Sequence, residues 1–264
     1  EVSVQGYRGN ALNPAMPKTW EILNAVAKEV GELFPFNHLH VGCDELPEDT
    51  WMGSPKARAL MAEHGLETTK DLQGWAISGL AATVVKNGQR PAAWEEAAKG
   101  ANGGIGNNAI LFSWTGQGAG VDAARAGYDV VMTPAQHAYL DMAHSDDPDD
   151  WGANWAAYIG LADTIEWDPV PAQAAEFADK IIGVQGTFWS EFTTDDAELM
   201  PMMMPRILPW IIFAIGPRGR QDRRLSQWAA WMRSRSPAEL AKTRPLCAIK
   251  SWHILPALVM CQCM

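Results

Sequence analysis

The run Phe36-Asn37-His38-Leu39-His40-Val41-Gly42-Cys43-Asp44-Glu45 carries an alternating apolar stretch into two adjacent carboxylates. Its pattern predicts a buried strand over 37–43 that stops at Asp44-Glu45. Strand side chains alternate in direction, so the two acids share a pocket only where the strand bends or ends. Two carboxylates this close resist joint ionisation, which leaves one as an acid and the other as an anion. That is the equipment for glycosidic bond chemistry. The competing reading is a solvated acidic turn, since acids default to the surface.

The elements that must position such a pair follow from periodicity and end signals. Trp20, Ile22, Leu23, Val26, Ala27, Val30 and Leu33 mark one face of a helix from Lys18, closed by Phe34-Pro35. Ser54-Pro55 opens a second helix through Met61, and a third runs from about Thr69 to Asn87-Gly88. Strands are predicted at 91–94, 109–114, 129–132 and 181–189, with helical stretches at 121–126 and 172–178. The segment 145–171 holds Trp151, Trp155, Tyr158 and Trp167 and reads as a long substrate-contacting loop. Strand, polar or aromatic loop, helix, repeated, is the grammar of a parallel α/β protein.

Asp44-Glu45, Trp94, Trp114, Tyr139-Asp141 and Trp189-Glu191 each fall at or just past the C-terminal end of a predicted strand, where parallel α/β enzymes place their sites. A Rossmann sheet is disfavoured, because Gly103-Gly104-Ile105-Gly106 precedes a strand instead of following one.

The chain has 264 residues, 47% hydrophobic, enough for one large barrel or two modest domains. Its net charge of −10 disfavours nucleic acid and anionic membranes as partners. No apolar run approaches the roughly 20 residues of a spanning helix. Cys43, Cys247, Cys261 and Cys263 form no CxxC pair, so neither zinc nor a disulfide framework is expected. The first residue is Glu1, as in a processed chain or a fragment. Thirteen tryptophans are many for this length, and an indole face suits the hydrogen-lined face of a sugar ring. Residues 201–264 hold ten Lys and Arg against Asp222 and Glu239 alone, net +8, leaving eleven basic and twenty-nine acidic residues before them, net −18. A catalytic portion at 1–215 and a basic tail at 216–264 of unassigned role are the expected division.

His40-Val41-Gly42-Cys43-Asp44-Glu45 resembles the HxGGDE signature of the β-N-acetylhexosaminidases of glycoside hydrolase family 20. Ala93-Trp94-Glu95-Glu96, Ser113-Trp114, Tyr139-Leu140-Asp141 and Gly183 to Glu191 follow in that family's order, over roughly residues 10–207. The resemblance implies a (β/α)8 TIM barrel and an exo-acting hydrolase without metal or organic cofactor. It would release terminal N-acetylglucosamine or N-acetylgalactosamine from oligosaccharides. The mechanism it implies is retaining with no enzyme nucleophile, the substrate's own acetamido oxygen attacking the anomeric carbon to give an oxazolinium ion.

By the same resemblance, Glu45 matches the general acid and base, Asp44 the anion that holds the acetamido N–H, and Tyr139 the hydroxyl that aims the acetamido oxygen. Trp94, Trp114 and Trp189 match the acyl-pocket walls, and Asp141 and Glu191 the acceptors for sugar hydroxyls. His40 is either hydrogen-bonded inside the fold or a support for the acid pair at the substrate-binding end. Trp51 reads as packing before subsite wall. The expected compartment is secreted or periplasmic ahead of cytoplasmic.

Two departures from the family pattern qualify this. Cys43 stands where the family has Gly, and only one strand precedes Glu45, so about three N-terminal barrel strands are absent. An inactive or weakly active carbohydrate-binding fragment is therefore the alternative, and a glycosidase with a carboxylate nucleophile is a third reading.

Overall fold

The computed structural model describes residues 11–34, 36–98 and 104–192. The expected tail at 216–264 lies outside them. The described residues fall into two compact units, one within 11–114, 118–131 and 173–181, the other within 115–117, 132–172 and 182–192.

In the first unit, α1 (Pro17–Leu33) starts with Pro at its first position and ends at Phe34, ahead of Pro35. α2 (Pro55–His64) is capped by Ser54, whose side chain accepts from the Ala57 N–H at 3.3 Å, and Gly65 closes it in the left-handed region. α3 (Thr69–Lys86) begins in a capping box between Thr68 and Asp71. α1 and α3 pack through Trp20 edge-on to Trp75 at 5.8 Å. Gly79 makes this possible, because a Cβ there would lie 2.8 Å from the Trp20 ring.

The strands are β1 (His38–His40), β2 (Arg90–Trp94), β3 (Ile110–Ser113), β4 (Asp129–Met132) and β5 (Ile181–Val184), in sheet order β1-β2-β3-β4-β5. β1 pairs with β2, and β2 with β3, in parallel. Pro91 through Trp94 and all of β3 are buried, as expected for strands covered on both faces. Sequential order in a parallel sheet is singly wound barrel topology. The barrel is incomplete: β1 has no strand on its outer edge among the described residues. Ile22, Val26 and Leu33 of α1, with Phe34 and Phe36, are exposed.

The N-terminal ends of the strands are tied by charge. Arg90 donates to Asp129 Oδ2 at 2.8 Å and to the carbonyls of Asn108 and Ala109, and Lys180 lies 3.4 Å from Asp129 Oδ1.

β1 is shorter than the predicted 37–43. Backbone pairing with β2 continues, Val41 N–H to Ala92 O at 2.8 Å and Trp94 N–H to Gly42 O at 3.1 Å, but Gly42 and Cys43 then turn to φ 72° and 79°. β5 likewise ends at Val184, earlier than expected. The helix expected at 121–126 is α4 (Gln117–Arg125), and 172–177 is 3-10, not α-helical. In the second unit the short helices α5 (Ala135–Ala138) and α6 (Leu161–Ile165) are additions, the latter inside the segment read as loop.

Candidate active site

The bend after β1 presents the acid pair. Glu45 follows Cys43 into the left-handed region at φ 51°, so the alternation that would send Asp44 and Glu45 to opposite faces is broken. Gln73 on the buried side of α3 donates from Nε2 to the Cys43 carbonyl at 3.3 Å and holds the bend from behind. Asp44 keeps substantial solvent contact, whereas Glu45 is half-buried. Both acids line a cavity of about 420 Å³ with Leu46, Trp51, Gln73 and Leu80. Trp51 is 8% exposed and packs with Ala57, Met61 and Leu72, so it serves the core while also edging that cavity.

His40 points inward from β1. Its ring meets Trp94 edge-on at 4.9 Å and Phe112 at 4.8 Å, and its Nδ1 accepts from the Gly42 N–H at 3.2 Å. Burial, with a smaller contribution from His38, pushes it down to about 4, so it is neutral near pH 7.

Trp94 ends β2 in a buried position, and Trp114, half-buried, follows β3. Between them, the 3-10 turn Glu95–Ala98 contributes two acids that the sequence reading named as part of a family-like piece but to which it assigned no role. Glu95 accepts from the Trp114 backbone N–H at 3.1 Å, and Glu96 accepts from its indole N–H at 3.0 and 3.2 Å. Burial first, then the Glu95 charge, pushes Asp44 above the usual carboxylate range. Glu96 is raised by burial, Glu95 and Asp44. Burial and the Asp44 and Glu96 charges push the Cys43 thiol up to about 12, so it remains a thiol.

The second unit gathers Tyr139, Asp141, Trp155 and Trp189. Tyr139 is 3% exposed and forms an isolated bridge with Thr187; the Tyr139 ring lies 6.3 Å from Trp189 and 5.7 Å edge-on from Trp155. Trp155 was anticipated only as part of a loop. That loop crosses directly over the backbone after Tyr139, with Ala153 N–H on Asp141 O at 2.9 Å and Ala143 N–H on Ala153 O at 2.7 Å. Gly152 permits the crossing, because a Cβ there would sit 2.6 Å from the Asp141 carbonyl. Asp141 is buried, Trp189 half-buried and Glu191 exposed.

In the first unit, acids and aromatics thus follow the C-terminal ends of three neighbouring parallel strands, β1, β2 and β3. Comparison with known proteins adds the decisive observation. The family model described as "Glycosyl hydrolase family 20, catalytic domain" matches residues 1–210. The chain belongs to this family. A β-hexosaminidase from Vibrio furnissii is 35% identical over 208 residues, covering 78% of this chain and 34% of its own length. One from Vibrio vulnificus is 29% identical, covering 82% and 29%. The crystal structure of a family 20 exo-β-N-acetylglucosaminidase from Vibrio harveyi with N-acetylglucosamine superposes with a TM-score of 0.75 at 33% identity, over 79% of this chain and 33% of that one. This family 20 chain therefore spans about a third of the length of these relatives. Cys43 sits at φ 79°, a conformation that the glycine of the signature it resembles would take without the Cβ clash.

Proposed function

We propose that the chain carries the catalytic end of an exo-β-N-acetylhexosaminidase that hydrolyses terminal N-acetylglucosamine or N-acetylgalactosamine with help from the substrate's own acetamido group. The observation that carries this is the acid pair at the end of β1 with Trp94 and Trp114 at the ends of the next two strands, within a family whose relatives bear the hexosaminidase name.

In this reading Glu45 protonates the leaving glycosidic oxygen and afterwards takes a proton from the attacking water. Asp44 accepts the acetamido N–H and offsets the positive charge that develops as the oxazolinium forms. A fixed carboxylate is worth most where neighbouring indoles exclude water. The Tyr139 hydroxyl orients the acetamido oxygen for attack. Trp94, Trp114 and Trp189 bound the acyl group, and Asp141 and Glu191 accept from sugar hydroxyls. His40, enclosed by Trp94 and Phe112, supports the pair without touching sugar.

Release of nitrophenol from the 4-nitrophenyl N-acetylglucosaminide tests the reading. Glu45→Gln lowers the rate by about 10²–10⁴-fold if Glu45 is the acid; turnover untouched by the substitution refutes the assignment. A second reading, a carbohydrate-binding piece without turnover, is favoured by the outer edge of β1, which has no partner strand among the described residues, and by the solvent contact of Asp44. Binding of N-acetylglucosamine with no nitrophenol release would select it.

A further inference from the structure

Glu96 has no part in the chemistry described so far, yet it is placed unusually for an acid. It stands in the turn that starts where β2 ends, and both its carboxylate oxygens face the Trp114 indole N–H, at 3.0 and 3.2 Å. Glu95 holds the backbone N–H of the same tryptophan at 3.1 Å. Two consecutive acids on one strand end therefore grip one tryptophan on the next, at its main chain and at its ring. A carboxylate is a costly acceptor here. Glu96 is half-buried, close to Glu95, Asp44 and Cys43, and burial and the two acidic neighbours all oppose its ionisation. A charged acceptor makes a shorter and stronger hydrogen bond than an amide or hydroxyl does. Because the indole N–H lies in the ring plane, two oxygens on it restrain the ring's rotation as well as its position.

We propose that Glu96 is a positioning residue that fixes the plane of the Trp114 indole and so sets the size of acyl group the enzyme admits. The inference rests on the function proposed above, in which Trp114 walls the acyl pocket. Glu96→Ala frees the ring, whereas Glu96→Gln keeps one oxygen for the indole N–H. A loosened wall penalises the small acetyl group more than a larger one. The ratio of kcat/KM for the N-acetyl over the N-butyryl glucosaminide falls about tenfold or more in Glu96→Ala, the lower end of the discrimination an apolar pocket gives per methylene, and stays within about twofold in Glu96→Gln. A merely structural role lowers both substrates equally and leaves the ratio unchanged, which overturns the proposal.

A second readout needs no turnover. In a ¹⁵N-tryptophan spectrum of the full chain, the resonance lost in Trp114→Phe is the Trp114 indole. It lies downfield in the wild type, moves upfield in Glu96→Ala, and shifts with pH in the wild type but not in Glu96→Gln. Should Glu96→Ala fail to fold, the comparison of wild type with Glu96→Gln across pH decides alone. A Trp114 signal indifferent to both substitutions and to pH refutes the contact. Absence of hydrolysis by the wild type with this signal behaving as stated refutes the proposed function and leaves the contact standing.

Discussion

Gln73 donates its Nε2 to the carbonyl of Cys43 at 3.3 Å, so the residue immediately before the acid pair is fixed from the helix layer. Cys43 sits at φ 79°, where a Cβ is strained by an amount of order 1–3 kcal/mol. Cys43→Gly removes that strain and loses a little to the greater freedom of the unfolded chain. The expected net gain is about 1 kcal/mol at pH 7, read as a higher urea midpoint with an unchanged slope. Gln73→Leu, by leaving the carbonyl unsatisfied, lowers the midpoint by a comparable amount.

His40 gives stability a pH dependence of fixed sign. Its value falls from 6.5 to about 4 on folding, chiefly through burial. Between those two values the unfolded chain binds a proton that the folded chain refuses, so stability drops as pH falls from 6.5 to about 4 and loses nothing more from this group below that. His40→Phe keeps the ring against Trp94 and Phe112 and cannot titrate. Urea midpoints measured at pH 7 and at pH 4.5 should differ less in His40→Phe than in the wild type.

Glu96 and Asp44 act in the opposite direction. Both are raised on folding, so the folded chain binds protons the unfolded chain has released, and stability from this pair falls as pH rises through that window. The melting temperature of Glu96→Gln relative to wild type is therefore expected to be more favourable at pH 7 than at pH 4. A difference that is constant with pH would contradict it.

At the far end of the strands, Asp129 is held below the usual carboxylate range: burial pushes it up, but Arg90 and Lys180 together outweigh that. Its stabilisation is complete above the ordinary value of 3.8 and disappears as pH falls through the lower folded value. Because all three side chains are partly exposed, Asp129→Asn costs only about 1 kcal/mol at pH 7. The expected signature is a lower melting temperature at pH 7 that converges on wild type towards pH 2, with activity in the neutral range little changed.

Much of this architecture was legible in the sequence because local signals and global fold agree. Ser54-Pro55 and Asn87-Gly88 mark helix ends whose partners lie within four residues, and the apolar runs at 91–94 and 110–113 are strands because both faces are covered. What escaped depends on distant partners or on unusual dihedrals. Cys43 and Glu45 adopt positive φ, which neither residue type advertises, and this is why β1 was drawn too long. The grip of Glu96 on Trp114 joins residues 18 apart that follow different strands, and the Trp155 contact with Tyr139 depends on where a long loop folds back. α6, five residues long, is too short to show a period.

The role of the acetamido group is tested most directly by replacing its hydrogens with fluorine. Across 4-nitrophenyl glucosaminides carrying acetyl, fluoroacetyl, difluoroacetyl and trifluoroacetyl groups, the acyl oxygen becomes a progressively poorer nucleophile while size changes little. If that oxygen attacks the anomeric carbon, kcat/KM falls at every step, by on the order of 10²-fold or more across the series, about 3 kcal/mol of barrier. Turnover that is level across the four substrates would mean that the substrate does not assist its own cleavage, and the account built on Asp44, Glu45 and Tyr139 would be wrong.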